Sequence, residues 1–265
     1  MLQFLITVSK RRDRRPLDAR SLALSTLLGT HPPELPVGAL IDLGGLFGIA
    51  PGTMRTALSR MLAAGEVAAP SEGRYRLVGP LLDRQRAQDA GRRRPPASWD
   101  GTWHSVVSAP DQRQLADRRR FRAAMTNARF GELRPDIWMR PANLAAPTAE
   151  PDWIVLTGAA AGLAHDVLVA RLWDLAAIAA DALTLVGELD ELRASLDWTD
   201  PASIPPIFSA SAAVVRFLRA EPLLPAELVP AHWPPDELRA AYDDVEADFQ
   251  RLLSDFLRGA RASTR

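Results

Sequence analysis

Between Gly52 and Ala64 the chain reads Gly-Thr-Met-Arg-Thr-Ala-Leu-Ser-Arg-Met-Leu-Ala-Ala. Met54, Leu58, Met61 and Leu62 follow the i, i+4, i+7, i+8 spacing of one apolar helical stripe. The opposite side holds Gly52, Thr53, Thr56, Ser59 and Arg60, with Arg55 at its edge and no acidic residue in the segment. Short hydroxyl side chains let a helix backbone approach a nucleic-acid groove. Guanidinium groups donate paired hydrogen bonds to guanine edges or meet phosphates. An ordinary amphipathic helix also has a polar face, but that face normally mixes charge signs. Three turns without an acid favour a polyanion partner, and the pattern predicts a recognition helix for double-stranded DNA.

A second pair of cations follows. In Arg74-Tyr75-Arg76-Leu77, strand alternation puts Tyr75 and Leu77 on one face and both arginines on the other, where they could meet phosphates or a minor groove. The competing reading is an edge strand whose charges block aggregation. The runs Lys10-Arg11-Arg12-Asp13-Arg14-Arg15 and Arg92-Arg93-Arg94 could add phosphate contacts or serve as solvated arms.

The surrounding elements must hold these groups in place. Leu17–Leu28 reads as a helix with Asp18 near its start, and Pro36–Phe47 as a second with Val37, Leu40, Ile41 and Leu43 inward. Gly48-Ile49-Ala50-Pro51-Gly52 is a turn, Pro51 suiting the first turn of the next helix and Gly65 its left-handed stop. Glu66–Pro70 and Arg74–Val78 flank Ser71-Glu72-Gly73 as a hairpin. Three helices followed by a hairpin is the order of a winged helix-turn-helix. Beyond an Arg/Pro-rich linker at 89–98, Thr102–Val107, Gly131–Leu133, Ile137–Met139 and Trp153–Thr157 read as strands, with an arginine-rich helix at Asp111–Ala128. That order predicts a ferredoxin-like α/β domain containing a loop at 141–151. Residues 164–196 read as helical, and the tail as a Pro-rich segment followed by an amphipathic helix over Asp236–Leu257.

Composition narrows the chemistry. Residues 1–94 carry 15 basic and 8 acidic side chains, residues 95–180 carry 9 and 9, and residues 181–265 carry 8 and 15. A basic front and an acidic back lie behind a net charge of zero. The chain has no cysteine, which excludes disulfides and thiolate metal sites and fits a reducing cytoplasm. No signal peptide is read at Met1–Val8, because the basic residues follow the apolar run, and no apolar run suggests a membrane span. His31, His104, His165 and His232 lack metal-ligand spacing, so no metal is expected, and no cofactor either. Neither a phosphate loop nor a nucleophile elbow occurs, and Asp111 is the first carboxylate after the strand ending at Val107. The central domain is therefore read as non-catalytic, with a nuclease or thioesterase as the alternative. Arg113, Arg118, Arg119, Arg120 and Arg122 form either an anion site or a solvated helix face. The seven tryptophans are read as core and interdomain anchors.

Blocks along the chain carry a family resemblance. They are Val37-Gly38-Ala39-Leu40 through Gly48-Ile49 and Arg55-Thr56-Ala57-Leu58-Ser59-Arg60-Met61, then Trp99-Asp100-Gly101-Thr102-Trp103 with Phe130-Gly131-Glu132-Leu133 and Ile137-Trp138. The last are Leu172-Trp173-Asp174-Leu175, Glu221-Pro222-Leu223-Leu224-Pro225-Ala226-Glu227-Leu228 and His232-Trp233-Pro234. In this order they resemble the PaaX family of transcriptional repressors, regulators of phenylacetic acid degradation and their paralogues. The resemblance implies an α+β chain of three domains: a winged helix-turn-helix at 1–90, a ferredoxin-like domain related to a CRISPR adaptation nuclease at 97–163, and a helical domain at 164–265. It also implies a homodimer that represses a catabolic operon and is released from operator DNA by an aryl-acyl-CoA, phenylacetyl-CoA in the founding members. No effector residues follow from it. The expected DNA contacts are Thr53, Arg55, Thr56, Ser59, Arg60, Arg74 and Arg76. An effector-independent DNA-binding protein is the other reading. The chain departs from the family pattern at Arg129 and Asp136, where glycine is usual, and at Glu221, where aspartate is usual. These positions lie outside the N-terminal domain and bear on the effector.

Overall fold

The computed structural model describes residues 17–71, 73–83, 85–86, 98–108, 115–148, 150 and 152–262. The basic runs at 10–15 and 92–94, the segment 1–8, most of the linker, Glu72, and Asp111 and Arg113 lie outside the described residues. The chain divides into two compact units. One takes residues up to 87, 187–212 and those from 241 on; the other takes 88–186 and 213–240.

In the first unit, α1 (Ala19–Leu28) begins at Asp18, whose carboxylate accepts the Ser21 N–H at 2.7 Å. That bond holds the Asp18 carboxyl below its ordinary range. Leu22, Ala23, Leu24, Leu27 and Leu28 of α1 are buried. At its far end the buried Gln85 side chain donates to the Leu28 and Thr30 carbonyls, satisfying acceptors that a helix end leaves open. α2 (Val37–Leu46) and α3 (Pro51–Ala63) follow, with Gly48 and Gly65 in the left-handed region at φ 71° and 67°. The hairpin forms from β2 (Val67–Ala68) and β3 (Arg74–Leu77). A third strand, β1 (Glu34–Pro36), pairs with β3, giving the antiparallel order β1-β3-β2. The sequence gives no sign of β1: three residues framed by prolines are too short to show alternation. The same unit contains the ring contacts of Phe208 with Phe47 (5.4 Å) and Phe249 (6.4 Å).

The second unit is built on β4 (Thr102–Ser108), β5 (Gly131–Arg134), β6 (Ile137–Pro141) and β7 (Trp153–Ala159). Their order, β5-β6-β4-β7, is antiparallel throughout and ferredoxin-like. The crossover helix α4 (Leu115–Asn127) joins β4 to β5, whereas the described residues between β6 and β7 contain no helix. Alternation along β4 separates two cores. Val106 joins Phe121, Met125, Phe130 and Trp138 under α4, while Trp103 joins Leu168, Val169, Leu172 and Leu224 on the other face. His104 lies in the first of these layers. Its Nε2 faces the Leu144 carbonyl at 3.2 Å and so donates, which leaves Nδ1 to accept from the Thr157 hydroxyl at 2.8 Å.

The predicted helical run at 164–196 divides into α5 (His165–Leu172) and α6 (Leu175–Ser195). Trp173 is extended between them, and Asp174 accepts the Ala177 N–H. α7 (Ile204–Ala220) arises inside the segment read as Pro-rich, because Pro205 and Pro206 sit in the first turn, where a missing N–H costs nothing. The stretch Pro201–Ala220 is long and apolar enough to cross a membrane by length and composition. This corrects the sequence reading, which saw no such run. Ile204, Ile207, Val214 and Leu218 are buried in the protein core, as expected of a core helix. Of the predicted stripe Leu238, Tyr242, Val245, Phe249, Leu252, Leu253 and Phe256, α8 (Pro234–Ala262) buries all but Phe256, which is half-buried.

Candidate nucleic-acid interface

Three side chains anchor α3. Met54, Leu58 and Met61 are fully buried, and α3 packs on both α1 and α2. The approach to α2 is close at Gly44, where an added Cβ would lie 3.0 Å from the Met54 methyl. The Gly44 carbonyl also accepts from Phe47 and Ile49, closing the turn that leads to α3. Leu62 is 42% exposed instead of joining the stripe. Eight residues after Met54 it is rotated by about 80° from it, which puts it at the stripe's edge.

Thr53, Arg55, Thr56, Ser59 and Arg60 are all exposed, so the structure brings five of the seven predicted contacts onto the outer side of one helix. The Thr56 hydroxyl donates to the Gly52 carbonyl at 2.9 Å, leaving its oxygen free to accept. Arg55 and Arg60 have no ion-pair partner among the described residues. Glu66, the first acid after the helix, is held by two hydrogen bonds from Arg20 of α1. That contact also keeps the Arg20 pKa above its ordinary value.

The wing separates its two arginines. Arg74 is half-buried with its Nε 2.5 Å from Glu34 of β1, an ion pair across the sheet. Arg76 is exposed and unpaired among the described residues. Sequence alternation could not show this distinction, because β1 brings the deciding carboxylate.

The comparisons with known proteins agree with one another. Residues 18–81 match the description "PaaX-like protein", residues 96–150 "PaaX protein central Cas2-like domain", and residues 173–259 "PaaX-like protein C-terminal domain". The solved structure of "Uncharacterized protein Rv0674 from Mycobacterium tuberculosis" is 37% identical, with a TM-score of 0.71, covering 90% of this chain and 98% of that one. The chain belongs to the PaaX-like family. Members are typically transcriptional repressors. No curated protein matches the chain.

Some of the other candidate groups in this PaaX-like chain make structural contacts. Arg122 of α4 pairs with Glu132 at 3.0 Å and lies over Trp138, while Arg118, Arg119 and Arg120 are exposed. His165 packs between Trp99 and Trp103. Burial holds His104 below the ordinary histidine pKa. Among the described residues no group of three His, Asp or Glu gathers to hold a metal. A cavity of about 760 Å³ lies in the first unit beside Pro51, lined by Ile41, Asp42, Leu46, Leu252, Asp255 and Phe256 among others. Among the described residues two carboxylates and no cation line it, a poor match for the phosphates of a CoA thioester.

Proposed function

We propose that this PaaX-like protein is a cytoplasmic, homodimeric transcriptional repressor that reads double-stranded operator DNA with α3. Thr53, Arg55, Thr56, Ser59 and Arg60 face the major groove, and Arg76 of the wing meets the backbone or minor groove. The observation that carries the reading is the exposed, acid-free face of α3 on a buried three-residue anchor, with Glu66 neutralised beside it. A dimer sets two such helices in successive major grooves of a partly palindromic site. An acyl-CoA of the phenylacetyl-CoA type releases the protein from the operator of a catabolic operon. By linkage, DNA then weakens binding of that ligand by the same factor.

The test is fluorescence anisotropy on the DNA upstream of its own gene, at two salt concentrations, for wild type and Arg60→Ala. Tight binding that weakens with salt and with the substitution is expected. Binding no tighter than to random duplex, with no site found genome-wide, sinks the regulator reading. Operator affinity unchanged under saturating phenylacetyl-CoA sinks the effector alone.

A further inference from the structure

We propose that one hydrogen phosphate ion binds against Arg129 in the second unit, held by the guanidinium groups of Arg129, Arg140 and Arg219 and donating its O–H to the Glu221 carboxylate. The site stands independently of the DNA and effector readings above.

Four arginines crowd this place, and two carboxylates answer them. Arg129, at the end of α4, donates to the Glu221 carbonyl, is attracted by the Glu221 carboxylate, and is repelled by Arg239 and Arg219. Arg140 of β6 stands close enough to repel it as well. Arg239 is provided for, with Glu221 at 2.5 Å and Asp236 at 3.1 Å. Nothing comparable holds the others. Arg140 is 4% exposed, yet it only donates to the Ala145 carbonyl and lies over the Phe130 ring at 4.8 Å, and its Nε has no partner. Arg219 is half-buried and has no ion pair among the described residues. Among the described residues no carboxylate attracts Arg140, and burial lowers the pKa values of Arg129 and Arg140 to about 10. Guanidinium groups still keep their charge at neutral pH, so the excess of two positive charges calls for a counter-ion.

The unpartnered atoms decide which anion it is. Guanidinium forks match the oxygens of carboxylates and phosphates, and two charges call for a dianion. The Nε atoms of Arg140 and Arg239 are buried donors without a partner. Glu221 Oε1 is a buried acceptor without one, its other oxygen being held by Arg239. A buried polar atom left so needs a water or an ion. An anion that only accepts would suit the donors and repel Glu221. Hydrogen phosphate carries two negative charges and one O–H, so it accepts from the arginines and donates to Glu221. Sulfate has the charge without the proton, and a phosphate monoester has given its proton up at about pH 7.5. Arg129 is half-buried and gives the ion its way in. Because Arg129 stands where the family pattern has glycine, the site is a property of this chain.

The test is isothermal titration of the full chain in chloride buffer at about pH 7.5, where hydrogen phosphate is doubly charged and a monoester has no proton left. One phosphate should bind per chain, and it should raise the melting temperature where chloride at equal ionic strength does not. Sulfate and phenyl phosphate should bind at least about tenfold more weakly, the difference one charge-assisted hydrogen bond makes. Arg129→Gly should fold, since φ is 63° there, and should bind phosphate at least about tenfold more weakly. Arg219→Gln, altering a half-buried side chain, should weaken binding too, and Arg120→Gln on the exposed side of α4 should not. No phosphate bound at millimolar concentration overturns the proposal. So do sulfate or phenyl phosphate binding as tightly as phosphate, folded Arg129→Gly or Arg219→Gln binding like wild type, and an equal loss in Arg120→Gln.

Discussion

The wing offers two arginines that a sequence treats alike and the structure does not. A cation that neutralises one phosphate lowers the slope of log affinity against log salt by about 0.9. Between about 50 and 200 mM salt, one contact therefore accounts for a roughly threefold change in affinity. Arg76 is exposed and unpaired among the described residues, so Arg76→Ala should reduce the slope by about 0.9. Arg74 is neutralised by Glu34 at 2.5 Å, with side chains 37% and 20% exposed. Removing Arg74 alone would bare a carboxylate beside the DNA, so the informative variant removes both partners. Glu34→Ala/Arg74→Ala should leave the slope unchanged and lower fold stability by no more than about 1 kcal/mol, the range of exposed pairs. Any duplex serves, because the term is independent of sequence, and anisotropy titrations at four or five salt concentrations resolve the slope. Equal slope losses for the two variants would show that the Glu34 pair opens on DNA. No loss for Arg76→Ala would remove the wing from the interface.

Two further outcomes follow from packing and protonation. Gly131→Ala should destabilise by about 1–3 kcal/mol, because the new methyl meets the Leu172 Cβ at 2.7 Å and the Leu172 carbonyl and Trp173 ring at 3.0 Å. Gly187→Ala, inside α6 with nothing within 4 Å, should stabilise by about 0.5–1 kcal/mol, and thermal melts showing the same sign for both would refute the contrast. His104 has a folded pKa depressed by burial, so its unfolded form takes up a proton first as the pH falls. Its contribution to stability is complete above about pH 6.5 and is lost as the pH drops from there through the folded value. Urea unfolding at pH 7.5 and 5.5 should show a decline that His104→Gln reduces, and an equal decline in the variant would assign the effect elsewhere.

What the sequence could reveal depended on the range of the signal. α3 and α8 were legible because their stripes repeat over many turns, and Pro51 and Gly65 mark the ends of α3 by their own backbone preferences. The sheet order of the central unit followed from element order and the short loop between β5 and β6. β1 and α7 were missed because prolines mark both as loop while tertiary context places those prolines at tolerated positions. At the candidate interface the exposed face of α3 could be read locally. The fate of Arg74 could not, since Glu34 is forty residues away and reaches it only through a strand the sequence does not announce.

The departures from the family pattern acquire a physical meaning of the same long-range kind. Arg129 has φ 63° and Asp136 φ 69°, a backbone region that favours the glycine the family resemblance expects at both places. Arg129 closes α4 in a left-handed cap, with Phe130 N–H returning to Met125 and Arg129 N–H to Thr126, while Asp136 follows Pro135 in the turn between β5 and β6. A non-glycine residue in that region costs on the order of 1 kcal/mol, and Arg129 offsets it by donating its guanidinium to the Glu221 carbonyl. Glu221, itself a departure, is fully buried and binds Arg239 at 2.5 Å. Burial lowers the pKa values of Arg129 and Arg140 to about 10, with Arg239 a further repulsion on Arg129, so the Glu221 carboxylate offsets more than one cation. Two of the three departures therefore face each other in one buried cluster. The Arg129 bond to the Glu221 carbonyl and the attraction of the Glu221 carboxylate for Arg129 fasten the end of α4 to the chain after α7.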